Sequence, residues 1–464
     1  VYRICHRTSP TNIGMYLVSV LAACDRRLIS PKTMCARISH TLDSIECMEK
    51  YHGNLYNWYE TKTLELCPNP YVSSVDSGNL VCSMVALREG LKEYTDVYKP
   101  IESLVERLDK LITQTDLSIF YDDVKGLMAI GINPSTGSLD RSRYDFLMSE
   151  ARLTSFYAIA SRQVPKSHWM RLSRTAISSG FYSGCASYSG TMFEFFMPEL
   201  FIKSPESSLM YESLKYALWC QKSYAQSLNR PYGISESGYY AFDSMLTYRY
   251  MAHGVPKTGL KRGLWTDYVV SPYSTYLSLG YSPASAMENL ARLREYGMYS
   301  RYGFYEALDF SSRSRSGSEP EAVKSYMAHH VGMSIIAAVN VLQDGIFQKR
   351  FMRDKNVLGA SELLCERVNL GRQVYEDILM RPQIKMAEPE QSSIEAFSDI
   401  SCFKPRTKLL AGSEYTLVLT DGGISIAKYR GKNVYASTRD HLLRPHGVFF
   451  GVSDGEESVS FTLL

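Results

Sequence analysis

The chain has 464 residues, of which 45% are hydrophobic and 21% are charged, and its formal net charge is +3. This composition is typical of a globular protein, and the length suits one large domain or two to three ordinary ones. The near-neutral charge and the lack of Lys/Arg runs argue against a nucleic-acid-binding surface, so no nucleic acid is expected as a partner.

The first 385 or so residues follow a mainly helical pattern. Apolar residues recur at i, i+3, i+4 and i+7, for example within 13–21, 80–91 and 328–342. Between such segments lie loops rich in Gly, Ser, Tyr and Pro, at 51–79, 131–140, 181–192, 229–240, 253–273 and 299–319. Helices alternating with long polar loops favour a helical toroid whose loops gather at one end. An α-solenoid is the alternative, but no fixed sequence period supports it.

The pattern changes after Pro382. Residues 386–400 are charged and polar and contain Pro, which predicts a linker. Within 414–435, two β-rich runs flank an Asp-Gly-Gly turn, which predicts a hairpin. Residues 401–464 are too few for a complete β-sandwich, so we expect the β-rich start of a domain that continues further.

Cysteine spacing and cofactor motifs give mostly negative predictions. The ten cysteines are scattered without Cys-x-x-Cys spacing, which favours a reducing, cytosolic compartment over a disulfide framework. No Walker A loop, G-x-G-x-x-G after a strand or G-x-S-x-G elbow occurs, and His329-His330 lacks the H-E-x-x-H pattern. We therefore expect no cofactor and no metal. No signal peptide and no run of about 18 apolar residues is present, and the missing initial Met suggests a piece of a longer protein.

Tyrosine is unusually frequent. The 34 tyrosines are roughly twice the number expected from average composition. A flat ring with a hydroxyl group suits the recognition of sugar rings, although tyrosine fills cores and interfaces equally well.

Five carboxylates lie in aromatic or Gly/Ser-rich segments. They are Asp76 in YVSSVDSGN, Glu150 in DFLMSEARL, Glu194 in SGTMFEFFMP, Glu236 in GISESGYYAFD and Glu306 in RYGFYEALDF. Hydrolysis or transfer of a glycosidic bond needs two carboxyl groups, one as proton donor and one as nucleophile or base. The donor needs a raised pKa, which apolar surroundings without a close cation provide.

Each of these acids also has a structural interpretation. Asp76 would cap the following helix, Glu150 would pair with Arg152 or another base, and Glu194 would face solvent. Glu236 would lie in a polar turn that leads into a helix, or it would be a proton donor kept neutral by the small and aromatic residues that surround it in the sequence.

Several stretches together resemble one protein family, the cyclic β-1,2-glucan synthases of bacteria, in their internal domain between a membrane glycosyltransferase and a phosphorylase-like domain. The stretches are RTSPTNIGMYLVSVLAACD, HGNLYNWYETKTLE, YVSSVDSGNL, YDFLMSEARLTSFYAIA, SGTMFEFFMP, GISESGYYAFD, YRYMAHGVPKTGLKRGLWTDYVVSPY, RYGFYEALDF and SYMAHHVGMS. The resemblance implies an (α/α)6 toroid that cleaves linear β-1,2-glucan and rejoins the chain to its own end, a retaining transglycosylation without a cofactor. The tail resembles the first strands of the phosphorylase-like domain.

The resemblance also implies roles for single residues. Glu236 would be the general acid/base and Glu150 the nucleophile. A retaining pair attacking directly would lie about 5–5.5 Å apart. The other implied substrate-binding residues are the acids Asp76, Glu194 and Glu306, the aromatic residues Trp58, Tyr188, Tyr239, Tyr302 and Tyr305, and Arg262. This chain has Tyr188 where the family is expected to have Trp, and Phe195-Phe196 where Tyr-Leu is expected, which concerns sugar stacking more than the chemistry.

Two other functions remain open at this point: a β-1,2-glucan hydrolase on the same scaffold and a non-catalytic glycan-binding module. As partners we expect a β-1,2-glucan chain and, in the full-length protein, covalently linked glycosyltransferase and phosphorylase-like domains. The expected location is cytoplasmic, at the cytoplasmic face of the inner membrane if the chain is part of such a synthase.

Overall fold

The computed structural model describes residues 4–243, 247–311, 319–367, 407–420, 425–434, 451–453, 455 and 458–460. The chain divides into two compact units, Val1–Met380 and Arg381–Leu464. The predicted linker at 386–400 lies outside the described residues, so the predicted domain boundaries at 385 and 400 stay a prediction.

The described part of the first unit contains thirteen α-helices. They are α1 (Pro10–Asp25), α2 (Pro31–Cys47), α3 (Ser74–Leu91), α4 (Ile101–Gln114), α5 (Arg152–Ala160), α6 (Ser167–Arg171), α7 (Met192–Phe196), α8 (Leu209–Ser227), α9 (Pro272–Leu277), α10 (Pro283–Glu295), α11 (Ala328–Leu342), α12 (Ile346–Met352) and α13 (Lys355–Gly359).

Short strands occupy the connections between these helices. In the first unit they are β1 (Arg7–Thr8), β2 (Lys50–Tyr51), β3 (Asn54–Leu55), β4 (Tyr59–Glu60), β5 (Val72–Ser73), β6 (Tyr121–Asp122), β7 (Leu127–Ala129), β8 (Gly131–Asn133), β9 (Ser138–Leu139), β10 (Arg143–Tyr144), β11 (Ala176–Ser179), β12 (Tyr182–Cys185), β13 (Ser237–Phe242), β14 (Tyr248–Met251), β15 (Val269–Val270), β16 (Tyr299–Ser300), β17 (Gly303–Phe304), β18 (Ala307–Asp309) and β19 (Glu321–Val323). The all-α prediction is therefore right for the main helices and incomplete for the loops. Strands this short leave no readable two-residue periodicity.

Ser-Pro pairs mark several helix starts. Helices α1, α2, α9 and α10 each begin at a proline preceded by serine. Proline suits the first helical position because its missing N–H would have no intrahelical partner, and the hydroxyl groups of Ser9 and Ser30 accept hydrogen bonds from backbone N–H groups of the first turn.

The core is built around α1 and α3. Helix α1 packs against α2, α3 and α11, and α3 also packs against α4, α5 and α12. Almost every residue of α3 is buried, which is expected of a helix enclosed on all sides. Close crossings require glycine: a Cβ at Gly78 would overlap the Thr154 side chain of α5, and one at Gly332 of α11 would lie 2.6 Å from Met15.

Two small antiparallel sheets shape the loops after α8. Strand β13 pairs with β14, and β18 lies between β15 and β19. A small cluster of Tyr239, Val269, Ala307 and Val323 packs the two sheets together.

The second unit contains an antiparallel sheet in the strand order β20 (Thr407–Ala411), β21 (Tyr415–Thr420), β22 (Ser425–Tyr429) and β23 (Lys432–Asn433), together with the pair β24 (Gly451–Ser453) and β25 (Ser458–Ser460). The antiparallel pairing of β21 with β22 confirms the predicted hairpin. Its Asp-Gly-Gly turn lies outside the described residues.

Membrane-spanning length was considered for each described helix. None of them is by itself both long and apolar enough to cross a bilayer, and the bent pair α11 and α12, which meet at 92°, passes by length and composition alone.

Candidate active site

The predicted acidic residues lie where loops meet the ends of helices and strands. Asp76 and Glu194 are in the first turns of α3 and α7, Glu150 is two residues before α5, Glu236 directly precedes β13, and Glu306 directly precedes β18. The N-terminal end of a helix favours negative charge, which partly compensates the burial of the three acids at α3, α5 and α7.

Four of the five acids are close enough to influence one another. Burial raises the pKa of Glu150 to about 8, and the negative charges of Glu194 and Glu236 contribute to the increase. Burial likewise raises the pKa of Glu236, to which the charges of Glu194 and Asp76 add. Because such interactions weaken with distance, these shifts place the four carboxyl groups in one site.

The acids of this site have no Arg or Lys ion-pair partner. Among the described residues, no Lys or Arg side chain forms an ion pair with Asp76, Glu150, Glu194 or Glu236, although the charges of Arg152 and Glu150 influence each other. Arg152 follows Glu150 closely in the sequence, but its guanidinium group lies 3.2 Å from the Glu199 carboxylate. The structural interpretation in which Glu150 pairs with Arg152 is therefore wrong.

Glu150 and Glu236 keep part of their surface exposed and have few hydrogen-bond donors. The Ser149 hydroxyl group donates to Glu150 at 3.0 Å, and the Tyr250 hydroxyl group donates to Glu236. Two partly exposed carboxyl groups that repel each other retain a proton near neutral pH, which is the arrangement that acid–base and nucleophilic catalysis require.

Glu194 has a different environment. Its carboxylate accepts hydrogen bonds at 2.9 Å from the backbone N–H groups of Ser189 and Thr191 and from the Ser187 hydroxyl group. Burial raises its pKa, and these donors oppose the increase because they favour the charged form. Glu194 is 7% exposed and completes a capping box with Thr191. Its position differs from the predicted solvent-facing or sugar-binding roles, because both oxygens hold the 187–191 loop.

Asp76 faces α1 through a hydrogen bond from the Thr11 hydroxyl group at 2.6 Å. Burial raises the pKa of Asp76, while the hydroxyl groups of Thr11 and Ser73 oppose this effect. The side chain that caps α3 is Ser73, whose oxygen accepts from the Asp76 N–H at 3.2 Å. The capping role considered for Asp76 is therefore wrong.

Glu306 lies beneath the site. It is 4% exposed, and its oxygens are 2.9 and 3.1 Å from Nδ1 of His330. The Gly238 N–H donates to it at 3.2 Å. This position differs from the predicted binding of sugar hydroxyl groups, since the carboxylate is enclosed by protein.

Three of the predicted stacking residues expose a substantial part of their rings. Trp58 is 38%, Tyr188 58% and Tyr302 65% exposed. The Arg7 guanidinium group lies 4.5 Å from the Trp58 ring centre, which covers one face of the indole. The backbone carbonyl of Tyr188 accepts a hydrogen bond from the Lys261 N–H at 2.8 Å. This bond joins the loop that carries Tyr188 to the loop that carries Lys261.

The remaining predicted substrate-binding residues differ in exposure: Tyr305 and Arg262 are at least partly exposed, and Tyr239 is buried. Tyr305 is half-buried against Tyr326, with ring centres 5.6 Å apart, and Arg262 is exposed. Tyr239 is only 1% exposed because its ring fills the cluster between the two small sheets. The stacking role predicted for Tyr239 is therefore wrong.

Several residues of the site were not singled out from the sequence. Tyr144 lies near Glu150 and Glu236, because burial and the charges of both acids raise its pKa. Tyr273 donates to the Glu236 carbonyl at 2.9 Å, and Tyr250 and His330 lie behind Glu236. Tyr144, Tyr250, Tyr273 and His330 all occur in the stretches that carry the family resemblance, which was the available signal.

Metal ligation was considered for the His329-His330 pair. His329 Nδ1 is 2.9 Å from the Asn12 side-chain oxygen, whereas His330 contacts Glu306. Within the described residues, no group of three or more His, Cys, Asp and Glu side chains is arranged to hold a metal ion.

Comparisons with known proteins agree with the resemblance found in the sequence. Residues 143–355 match the Glycoamylase family, described as putative glucoamylase. The chain is 29% identical, over an alignment of 579 positions, to the cyclic β-(1,2)-glucan synthase NdvB of Rhizobium meliloti (strain 1021). That alignment covers 97% of this chain and 20% of the relative, so the chain spans about a fifth of its length.

Solved structures show the same fold. The structure of a putative glucoamylase from Bacteroides fragilis has a TM-score of 0.64 at 17% identity, and the match covers 79% of this chain and 88% of that one. The endo-β-1,2-glucanase from Chitinophaga pinensis, in complex with sophorotriose and glucose, has a TM-score of 0.62 at 16% identity, covering 78% and 88%. The chain therefore has the fold of the glucoamylase-like and β-1,2-glucanase structures.

Proposed function

We propose that this chain is an enzyme that processes β-1,2-glucan, and that it converts the linear polymer into a ring by retaining intramolecular transglycosylation. The observation that carries the proposal is the pair of partly exposed carboxyl groups of Glu150 and Glu236, neither of which has an Arg or Lys ion-pair partner among the described residues, and in which the charge of Glu236 raises the proton affinity of Glu150. The similarity to a cyclic β-(1,2)-glucan synthase suggests the substrate, and the fold shared with an endo-β-1,2-glucanase is consistent with it.

In this proposal Glu236 is the acid/base and Glu150 the nucleophile. Protonated Glu236 donates its proton to the glycosidic oxygen while the Glu150 carboxylate attacks the anomeric carbon. The carbon–oxygen bond breaks, one part of the chain leaves with the proton, and a glycosyl ester remains on Glu150. The hydroxyl group at the non-reducing end of the same chain then attacks the anomeric carbon of the glycosyl ester and gives its proton to Glu236. The bond from the anomeric carbon to Glu150 breaks, which releases the Glu150 carboxylate and a cyclic glucan.

The protonation states determine which acid has which role. Because the pKa of Glu150 is about 8, the site retains a proton at neutral pH when no glycan is bound. The proposed mechanism requires this proton on Glu236. Two interacting acids titrate as a pair, and the proton is shared between them. Binding of a glucan whose glycosidic oxygen faces Glu236 selects the state with Glu236 protonated and Glu150 charged.

Product analysis tests the activity. Wild type incubated with linear β-1,2-glucan is expected to give products lighter than linear chains by one water, detected by mass spectrometry. Glu236→Gln is expected to lower kcat by about 10²- to 10⁴-fold, the usual contribution of a general acid. Glu102→Gln, on α4, is the matched control and should retain full activity. Wild-type turnover in the Glu236→Gln variant would contradict the assignment.

Azide rescue separates the two roles. In a Glu150→Ala variant given an activated aryl β-glucoside of the β-1,2 series, azide replaces the nucleophile and is expected to form the α-glycosyl azide. In a Glu236→Ala variant, azide resolves the enzyme-bound ester and is expected to form the β-glycosyl azide. The reverse pattern would exchange the roles of the two residues.

A β-1,2-glucan hydrolase is the second candidate, because the fold is shared with an endo-β-1,2-glucanase. Water and a sugar hydroxyl group compete for the same glycosyl ester, so the products decide between the two functions. Only short linear sugars would mean hydrolysis. Glucan binding without turnover by wild type would instead mean a non-catalytic glycan-binding module.

We also propose an (α/α)6 toroid for the helices of the first unit. The helices of its core pack side by side around α1 and α3, and three of the four acids lie near the N-terminal ends of helices, as expected when loops meet at one end of such a toroid. In the full-length protein we expect covalently linked glycosyltransferase and phosphorylase-like domains and a position at the cytoplasmic face of the inner membrane. These expectations rest on the similarity to NdvB. The alignment covers 20% of the length of NdvB.

A further inference from the structure

A chain of polar side chains extends from Glu236 into the protein. The Tyr250 hydroxyl group is hydrogen-bonded to the Glu236 carboxyl group and lies 3.3 Å from Nε2 of His330. On its other side, His330 Nδ1 is 2.9 Å from Glu306 Oε1. His330 and Glu306 are 2% and 4% exposed, so the inner half of the chain is closed to solvent.

The imidazole ring of His330 is held in one orientation. The Tyr273 ring stacks on it with ring centres 3.6 Å apart and an angle of 9° between the planes. The Tyr273 hydroxyl group is 2.8 Å from the Ser235 hydroxyl group and donates to the Glu236 carbonyl at 2.9 Å. The same tyrosine therefore fixes both His330 and the backbone beside Glu236.

Glu306 is fixed by the two small sheets. The Gly238 N–H, at the start of β13, donates to its carboxylate at 3.2 Å, and the Ser271 hydroxyl group donates to its backbone carbonyl at 2.5 Å. The two ring nitrogens of His330 therefore face different partners, Nδ1 the Glu306 carboxylate and Nε2 the Tyr250 hydroxyl group.

We propose that His330, clamped between Glu306 and Tyr273, is a positioning residue that acts through the Tyr250 hydroxyl group to fix the carboxyl group of Glu236. The arrangement resembles the general pattern in which a third group orients the group that contacts a catalytic side chain. The catalytic role of Glu236 rests on the proposed function. The contacts that link Glu236, Tyr250, His330 and Glu306 do not depend on it.

Tyr250 and His330 also affect the pKa of Glu236. Burial raises the pKa of Glu236, while the Tyr250 hydrogen bond and positive charge on His330 both lower it. The other titratable groups near Glu236 or His330 are Asp76 on α3, Tyr144 on β10, Glu150 before α5, Glu194 on α7, Tyr273 on α9, and His329 on α11. Among these groups, only Tyr250 and His330 lower the pKa of Glu236. Removing either of them is therefore expected to raise that pKa.

The test is a direct titration of Glu236 in the ligand-free protein. Its carboxylic C=O infrared band is identified as the band that disappears in Glu236→Gln. His330→Phe keeps a ring against Tyr273 but removes both nitrogens. Loss of a hydrogen bond and a charge is expected to raise the proton affinity of Glu236 by about tenfold, or one pH unit.

His168→Phe is the matched control. His168 is fully buried, its ring nitrogens are 2.9 Å from the Ser155 hydroxyl oxygen and 3.2 Å from the Gly126 carbonyl oxygen, and burial lowers its pKa without a contribution from the acids of the site. It should destabilise the fold comparably and leave the Glu236 band unmoved.

Tyr250→Phe provides a second variant in case His330→Phe does not fold, since Tyr250 is 39% exposed and tolerates the loss of one oxygen. It is expected to shift the Glu236 titration in the same direction, and the double variant should shift it by less than the sum of the two single variants, because His330 acts partly through the Tyr250 hydroxyl group. An unmoved Glu236 titration in either folded single variant would overturn the inference. Wild-type turnover by Glu236→Gln would overturn the proposed function and leave this titration result standing.

Discussion

Two groups of buried acidic side chains in the first unit differ in their cationic partners. Around α12 and α13, Arg350 pairs with Asp25 and Glu93, each at 2.6 Å, and Arg88 pairs with Asp354 at 2.5 Å and Glu89 at 2.8 Å. At the candidate site, none of the described Arg and Lys side chains forms an ion pair with Asp76, Glu150, Glu194 or Glu236, and Arg152 pairs with Glu199 instead. We call the first group the arginine network.

The pKa shifts of Glu93 and Glu150 have opposite signs. Burial tends to raise the pKa of Glu93, but hydrogen bonds and charge from Arg350 and Arg353 outweigh it and lower that pKa. Burial and the charges of Glu194 and Glu236 raise the pKa of Glu150 to about 8, and no guanidinium group is ion-paired with it. Burial of acids thus stabilises the fold in one place and supplies a retained proton in the other, and the difference is the presence of a guanidinium group.

The largest effect is expected from removing a cation of the arginine network. Arg350→Met leaves Asp25, whose side chain is 4% exposed, without its charged partner. We expect the free energy of unfolding to fall by about 3–5 kcal/mol, because an unpaired buried charge remains. Urea denaturation measures this loss, and the activity of the folded fraction should be unchanged.

A surface ion pair provides the control for this change. Arg107 pairs with Asp43 and Glu46, whose side chains are 58% and 43% exposed. Arg107→Met is expected to cost no more than about 1 kcal/mol. Equal losses in the two variants would show that burial does not distinguish the arginine network from surface pairs.

An intermediate effect is expected from removing a charge at the site. The pKa of Glu150 is raised from 4.5 to about 8 in the folded protein. Below the lower value both states are protonated; as the pH rises towards the higher value, the unfolded chain releases its proton first. Stability therefore falls with rising pH, by at most about 1.4 kcal/mol per pH unit from this group.

Glu150→Gln removes this pH dependence. The variant is expected to be inactive and more stable than wild type at about pH 8, with the gain shrinking towards about pH 5. Thermal and urea unfolding at several pH values, with Glu102→Gln as the control, measure it. Parallel stability curves for wild type and Glu150→Gln would mean that Glu150 does not retain its proton in the folded protein.

The smallest effect is expected at the exposed rings. If Tyr188 stacks on glucan, Tyr188→Ala should raise KM by about three- to tenfold with kcat unchanged, since stacking contributes about 0.5–1.5 kcal/mol to binding. Phe181, which is fully exposed in the β11–β12 hairpin, is the control, and Phe181→Ala should leave KM as it is. A change confined to kcat for Tyr188→Ala would instead place the ring at the reacting centre.

Much of the fold was accessible from local sequence patterns. The helices at 13–21, 80–91 and 328–342 were predicted correctly because each buries a continuous apolar stripe or a whole helix surface. The short strands β13–β19 were missed because two to six residues give no reliable periodicity, and β15 also pairs with a strand, β18, that is distant in sequence. The hairpin of β21 and β22 was recovered because its partners are adjacent and a turn motif separates them.

Residue types and their neighbours were enough to select the candidate acids and aromatic residues, since they define chemical capability and family resemblance. The tertiary structure, in contrast, shows how each carboxyl group is solvated. It assigned Arg152 to Glu199 and not to Glu150, occupied both oxygens of Glu194 with protein donors, buried Tyr239 and joined His330 to Glu306. These differences arise because the pKa of an acid depends on burial, charges and donors within a few ångströms, and residues that are far apart in sequence supply most of them.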